Sequence, residues 1–127
     1  MQLTKDLVAA SATPLVLAIL SEGENYGYAI LKRVNELSQG ELEWTDGMLY
    51  PLLHRLDRLG LVKAEWRTPQ GQRRRRYYRL TNEGHAALDE QRAQWTMITT
   101  TLKRAWEDLP MPGPGLNPMA GARWEAS

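Results

Sequence analysis

The pattern of apolar and polar positions predicts helices in the first and last parts of the chain, with strands between them. Residues 3–12 are compatible with a short helix. A second helix is predicted to begin at Thr13 and Pro14, as N-cap and first helical residue, where the missing N–H of proline is not needed. The six apolar residues 15–20 follow at once, so we expect this helix to lie at the centre of the core.

A third helical segment is predicted to begin at Asn25, as N-cap, and to end at Gly40. Its apolar side chains recur at helical spacing: Tyr26, Ile30, Val34 and Leu37. The next residues, 41–44, alternate between polar and apolar side chains, which predicts a short strand.

The stretch 45–60 predicts a helix with one apolar and one polar face. The Thr45 hydroxyl is predicted to accept a hydrogen bond from the first turn, and Gly60 to end the helix. Because Pro51 removes the bond to the Gly47 carbonyl, we expect a loosened first turn. The apolar stripe holds Leu49, Leu52, Leu53, Leu56 and Leu59; the opposite face holds Gly47, Pro51, His54 and Arg58, flanked by Tyr50 and Arg55. Taken alone, this pattern is equally typical of an ordinary surface helix.

After Gly60 the apolar period changes from helical spacing to two, which predicts a β-hairpin. The first strand has Val62, Ala64 and Trp66 on one face; the returning strand has Arg76, Tyr78 and Leu80 on one face and Tyr77 and Arg79 on the other. A segment containing Pro and Gly joins the two strands.

A long helix is predicted from Thr81 to about Leu109, ~42 Å at 1.5 Å per residue. It carries a heptad seam formed by Leu88, Gln91, Trp95, Ile98, Leu102, Ala105 and Leu109. The seam is too long for the small body to cover, so we expect a second copy of the chain to cover it. Packing of the seam onto the chain's own first helices is the alternative. Residues 110–127 are rich in Pro and Gly and are predicted to be disordered.

At 127 residues, the chain is expected to form one mainly α unit with a small β-hairpin. This is the element order of a winged helix-turn-helix with a long C-terminal dimerisation helix. We expect the DNA-binding domain over 1–80, the dimerisation helix over 81–109 and the tail over 110–127. The absence of Cys excludes disulfides and thiolate chemistry. No apolar run is long enough to span a membrane, and no signal-peptide pattern is present, so we expect a cytoplasmic protein.

Positive charge is concentrated in one segment, although the net charge is only +1. Residues 67–79 contain six Arg and no acidic residue: Arg67, Arg73, Arg74, Arg75, Arg76 and Arg79. The remaining 10 basic and 15 acidic residues have a net charge of −5. A basic segment on an acidic body indicates one anionic partner bound at one place, and double-stranded DNA fits the winged element order.

The predicted DNA interface combines the polar face of the helix predicted over 45–60 with the hairpin. Thr45, Tyr50 and His54 suit base edges or phosphates, and Arg55 and Arg58 suit phosphates. Salt-dependent affinity would come from the hairpin residues Arg73, Arg74, Arg75 and Arg76, with Tyr77 beside them. Since few of these side chains can read bases, part of the specificity is expected to come from DNA shape.

DNA binding has three alternatives. The winged fold could serve as a protein-interaction module, and Tyr77 could stack on an unpaired RNA base. Catalysis is not expected, because His54 and His85 have no partners at the spacing of a known site. No catalytic residue, metal site or cofactor is therefore predicted.

The sequence resembles the PadR-type transcriptional regulators. Four motifs carry the resemblance: Glu-Asn-Tyr-Gly-Tyr at 24–28, Met-Leu-Tyr-Pro-Leu-Leu-His-Arg-Leu at 48–56, Leu-Gly-Leu-Val at 59–62 and Arg-Arg-Tyr-Tyr-Arg-Leu-Thr-Asn-Glu-Gly at 75–84. The resemblance covers 13 to about 107. It implies a homodimeric winged-helix repressor, often of a neighbouring efflux or detoxification gene.

The chain is similar to the shorter members of that family, which have a single C-terminal helix. In some of them a tryptophan on this helix lines a pore at the dimer interface that accepts flat aromatic compounds. Trp95 is at the matching position, and with Ile98 and Thr99 it forms the effector site that the resemblance implies. Plain interface packing of Trp95 is the alternative.

Overall fold

The computed structural model describes residues 1–112, which form four helices and a small three-stranded antiparallel sheet. The elements, in chain order, are α1 (Lys5–Ser21), β1 (Asn25–Tyr26), α2 (Gly27–Leu37), α3 (Asp46–Arg58), β2 (Val62–Arg67), β3 (Arg75–Leu80) and α4 (Asn82–Ala105). The strand order is β1-β3-β2. The predicted fold class, mainly α with a small β-hairpin, is confirmed. Over these residues, no helix is both long and apolar enough to cross a membrane.

Helix α1 is a single helix, so the prediction of two helices meeting at Thr13 and Pro14 is wrong. It begins after Thr4, whose hydroxyl accepts a hydrogen bond from the Leu7 amide at 3.3 Å. Pro14 lies inside it. The proline removes the helical hydrogen bond to the carbonyl of Ala10, which is an exposed residue. The expectation of a core helix is confirmed, because Val16, Leu17, Ile19 and Leu20 are all buried.

Residues 25 and 26 form strand β1 and do not begin a helix. Asn25 and Tyr26 pair with Tyr78 and Tyr77 of β3. The predicted capping role of Asn25 is wrong, since its Oδ1 accepts from the amide of Tyr26, at 3.0 Å, before α2 begins. The strand predicted over 41–44 is also not formed. A strand needs a hydrogen-bonded neighbour, and in the sheet formed by β1, β3 and β2 no strand pairs with residues 41–44.

Helix α3 is anchored by leucines on one face, as predicted. Four of the five predicted leucines are buried, namely Leu49, Leu52, Leu53 and Leu56. Leu59 is 62% exposed because the helix ends at Arg58, so this member of the stripe was wrongly assigned. Thr45 is at the N-cap position, but its side chain makes no capping hydrogen bond. Gly60 follows the helix with a φ of +76°, a backbone conformation that glycine adopts most easily. Pro51 lies within a continuous helix.

The predicted hairpin is formed by β2 and β3, which pair in an antiparallel register. Trp66 lies opposite Arg76, and Val62 lies opposite Leu80. Thr81 then caps α4, as predicted: its hydroxyl accepts from the Gly84 amide at 3.0 Å and donates to the Gly60 carbonyl at 2.6 Å. Helix α4 ends at Ala105, four residues before the predicted end. Of the tail predicted to be disordered, residues 113–127 lie outside the described part of the chain.

Gly84 allows the start of α4 to lie directly against the loop before β2. A Cβ at this position would lie far inside van der Waals contact of the Leu61 carbonyl oxygen. That oxygen already accepts a hydrogen bond from the Thr81 amide at 3.1 Å, so it cannot move freely. We expect Gly84→Ala to lower the free energy of unfolding by about 1–3 kcal/mol through this overlap, measured by urea denaturation.

Gly47→Ala is the matched control, because Gly47 is also helical and the nearest atom to an added Cβ is the Thr45 hydroxyl oxygen at 3.8 Å. This variant should be unchanged or more stable by up to about 1 kcal/mol, since alanine favours helix. Equal effects of the two substitutions would contradict the packing argument.

Tyr78 is 1% exposed, and within residues 1–112 its hydroxyl has no hydrogen-bond partner. Burial raises the pKa of Tyr78 above its ordinary value of 10.0, and the nearby Arg76 opposes this shift only in part. Because a buried hydroxyl without a partner is unfavourable, Tyr78→Phe should leave the protein as stable or make it more stable, by about 1 kcal/mol, at pH 7.

The same variant tests the pKa shift. A folded-state pKa above the unfolded value means that the contribution of Tyr78 to stability is intact below pH 10.0 and is lost as pH rises above it. The advantage of the Phe variant should therefore widen above pH 10.0, in urea denaturation repeated at increasing pH. A constant difference between the two proteins would show that the Tyr78 pKa is not raised.

Candidate nucleic-acid interface

A cleft of about 450 Å³ separates α3 from the hairpin. Its lining comes from three parts of the fold: Tyr50 and His54 of α3; Trp66, Arg74, Arg75, Arg76 and Tyr78 of the hairpin; and Tyr26 and Gly27, where β1 meets α2. Five of the ten predicted DNA-binding residues therefore lie around one cleft. They are Tyr50, His54, Arg74, Arg75 and Arg76.

The wall formed by α3 is positioned by the core. Because the leucine face of α3 is buried, the opposite face, including Tyr50 and His54, is exposed. Tyr50 also lies tightly against Gly27, where an added Cβ would overlap the phenol oxygen. A glycine at position 27 is thus required for Tyr50 to occupy this place in the wall.

The wall formed by the hairpin consists of arginines stacked on aromatic rings. The guanidinium carbons of Arg74 and Arg76 lie 4.6 and 5.6 Å from the centroid of the Trp66 ring. Arg75 lies 4.3 Å from the Tyr26 ring in the same way. These distances are within the range of cation–π interactions, so the three guanidinium groups have defined positions without a carboxylate partner.

The charges of these arginines are not neutralised by acidic residues in the part of the chain that the structure describes. Arg67 is paired, with Glu24 and, at 3.0 Å, with Glu65. No carboxylate of residues 1–112 lies within ion-pair distance of Arg73, Arg74, Arg75, Arg76 or Arg79. Arg75 donates to the neutral Gln72 amide oxygen at 2.7 Å. The cleft and the hairpin tip are therefore a locally positive surface suited to an anion.

The other predicted DNA-binding residues lie outside the cleft. Thr45 and Arg58 are exposed at the two ends of α3, and Arg73 is exposed in the hairpin loop. Arg55 donates to the Thr13 hydroxyl of α1 at 3.2 Å. Tyr77 is on the other face of β3, where its ring packs edge-to-face on Tyr26 at 5.4 Å and lies under Arg67.

The predicted effector residues are all on α4. Trp95 is half-buried, whereas Ile98 and Thr99 are exposed. His85 is exposed in the first turns of α4. Over residues 1–112, no three histidine or carboxylate side chains come together as a possible metal site.

Four residues of the cleft were not identified from the sequence: Tyr26, Gly27, Trp66 and Tyr78. One signal for Trp66 was present, because the strand pattern already placed it on the same face as Val62 and Ala64 at the end near the arginines. The approach of Tyr26 and Gly27 had no sequence signal, since it depends on β1 pairing with β3.

Comparisons with known proteins give a consistent result. Residues 16–90 match the Transcriptional regulator PadR-like family. The chain is 49% identical over 57 residues to the transcriptional regulator Rv3488 of Mycobacterium tuberculosis; the aligned part is 45% of this chain and 52% of that protein. The chain thus spans about half the length of this curated relative.

Two solved structures share the fold. A PadR-like transcriptional regulator from Bacillus cereus superposes with a TM-score of 0.71 at 26% identity, over 80% of this chain and 96% of that one. A PadR family transcriptional regulator from Eggerthella lenta superposes with a TM-score of 0.67 at 34% identity, over 81% of this chain and 88% of that one. With the family match covering more than half of the sequence, the chain belongs to the PadR-like family of transcriptional regulators, which are not enzymes.

Proposed function

We propose that this regulator binds double-stranded DNA in a sequence-specific way and acts as a dimeric repressor. The observation that carries the proposal is the cleft between α3 and the hairpin, where arginines without carboxylate partners face an exposed helix surface. A regulator of transcription needs such a surface, because the phosphates of DNA supply much of the binding free energy.

The geometry supports α3 as the element that enters the major groove. Its 13 residues are about 20 Å long at 1.5 Å per residue, a length that a major groove can hold. Tyr50 and His54 project from the exposed side toward the place that base edges would occupy. The hairpin arginines lie beside α3, where they would meet the backbone phosphates next to that groove.

Dimerisation through α4 is part of the proposal. Within residues 96–112, large apolar side chains are exposed: Met97, Ile98, Leu102, Trp106, Leu109 and Met111. Ile98, Leu102 and Leu109 are members of the predicted heptad seam. An apolar seam of this kind is unfavourable in water, so we propose that a second copy of the chain covers it. A dimer would bind a two-fold operator with half-sites ~34–36 Å, or a multiple of that, apart.

The regulated gene and the effector are proposed from the family resemblance. We propose a neighbouring efflux or detoxification gene as the target, and a flat aromatic compound that binds near Trp95, Ile98 and Thr99 and releases the protein from DNA. An alternative function, a protein-interaction module without DNA, would use the same exposed α4 side chains. The alternative leaves the unpaired arginines without a role.

Substitution of two cleft arginines tests the proposed DNA surface. Arg74→Gln with Arg75→Gln should weaken binding to a duplex from upstream of the chain's own gene by about tenfold or more at low salt. The slope of log affinity against log salt should decrease by about 2, because each lost phosphate contact removes ~0.9. Fluorescence anisotropy between roughly 50 and 200 mM salt would measure both the affinity and the slope.

Lys5→Gln with Arg92→Gln is the charge-matched control, because both residues are exposed and neither lines the cleft. This control should bind almost as the wild type does. If the two double variants lost the same affinity, only net charge would matter and the cleft would have no special role. If the wild-type protein were not retained on a heparin column and did not bind duplex DNA at low salt, the alternative function as a protein-interaction module would be favoured.

Substitution in the α4 seam tests dimerisation. Leu102→Glu should shift the protein from dimer to monomer in sedimentation velocity, because it places a charge at an apolar seam position. Lys103→Glu is the control at the next residue, on the outer side of the heptad, and should remain dimeric. A wild-type protein that is monomeric at all concentrations would overturn the proposed interface.

A further inference from the structure

Trp66 is a large apolar side chain that the core does not require. It is 51% exposed at the far end of β2, while Val62 on the same face is 1% exposed. Packing of the hydrophobic core therefore does not explain a tryptophan at this position. Its ring instead lies in the cleft between α3 and the hairpin.

Two arginines share the Trp66 ring. Arg76 is its cross-strand neighbour in the register of the hairpin, and its guanidinium carbon is 5.6 Å from the ring centroid. Arg74, in the loop before β3, lies closer, at 4.6 Å. Both distances are within the ~6 Å over which the ring attracts a cation.

Both arginines lie against this ring, and Arg76 also lies near the Tyr78 hydroxyl. Neither forms an ion pair with a carboxylate of residues 1–112, and in that range the buried Nε of Arg76 has no hydrogen-bond partner. A guanidinium group that stacks on a ring uses its face, so its N–H groups at the edge stay available to donate to phosphate oxygens. Stacking and phosphate binding are thus compatible in the same side chain.

We infer that Trp66 is a positioning residue for DNA binding, which holds Arg74 and Arg76 in the cleft before DNA arrives. The inference rests on the proposed DNA binding of this cleft. Arginine side chains have many rotamers, and fixing them during binding is costly. A ring that fixes them beforehand reduces that cost, as preorganisation does in other binding sites. The ring itself need not contact DNA.

Two substitutions of Trp66 in the full chain distinguish the effect of its aromatic face from the effect of a large apolar side chain. Trp66→Leu removes the aromatic face, and Trp66→Phe retains one. On a 30-base-pair mixed-sequence duplex, roughly three helical turns long, Trp66→Leu should weaken binding about 5- to 10-fold, and Trp66→Phe should stay within about 3-fold of wild type. The salt slope should be unchanged in both, because the phosphate contacts still form.

If Trp66 only stabilised the hairpin, the measured affinities and salt slopes would differ from those above. If Trp66→Leu disordered the hairpin, the arginine contacts would be lost and the salt slope would decrease by about 2, as for Arg74→Gln with Arg76→Gln. Trp66→Phe would then not restore binding. Either result would overturn the positioning role.

A double-mutant cycle tests whether Trp66 acts through the arginines. In the Arg74→Gln, Arg76→Gln background, Trp66→Leu should have no further effect on duplex affinity. If it weakened binding by the same factor in both backgrounds, the ring would contact DNA directly and the inference would be wrong.

A measurement on the free protein checks the stack without DNA. Ring currents of Trp66 should shift the side-chain Hδ resonances of Arg74 and Arg76 upfield in NMR spectra, and Trp66→Leu should abolish this shift. Absence of the shift in the wild type would overturn the inference. If the wild type bound no duplex, the proposed function and the role of Trp66 would both fail; normal binding by Trp66→Leu would overturn only the role of Trp66.

Discussion

Burial of the leucine face of α3 is the constraint on which the rest of the structure depends. Leu49 and Leu53 are fully buried, and they belong to one cluster with Val16 and Leu17 of α1 and Ile30 of α2. Rotation of α3 about its axis would expose these side chains, at roughly 1.5–3 kcal/mol for each. The opposite face is consequently held toward solvent, which gives the helix a defined surface for a partner.

The sheet supplies the second wall of the cleft and fixes its chemistry. Since β3 is the central strand, it connects the hairpin to β1 and so brings Tyr26 beside the hairpin arginines. The antiparallel register places Trp66 opposite Arg76. A shift of this register by one residue would move every side chain of the strand to the other face and would separate the ring from the cation. The positive surface therefore depends on strand pairing as much as on the number of arginines.

The charged side chains that the structure describes lie outside the hydrophobic core that stabilises this fold. The buried core described here contains no charged side chain, and within residues 1–112 the ion pairs are on the surface, such as Glu22 with Arg33 at 2.8 Å. Such pairs contribute little to stability, because water screens them. The hairpin arginines can thus remain unpaired at small cost to the fold. Stacking on Trp66 and Tyr26 fixes the positions of Arg74, Arg75 and Arg76.

The sequence pattern by itself determined the buried face of α3, the two strands of the hairpin and the basic segment, because these depend on local spacing, whereas the pairing of the two strands came from the structure. Predictions of secondary structure from local sequence were wrong where contacts with distant residues decide the conformation. Asn25 became part of a strand because β3 offers it a neighbour, and Pro14 is tolerated inside α1 because the apolar residues after it are buried in the core. The approach of Tyr26 to Trp66 and the arginines around one cleft was decided only by the tertiary structure, because Tyr26 is about 40 to 50 positions from them in the chain.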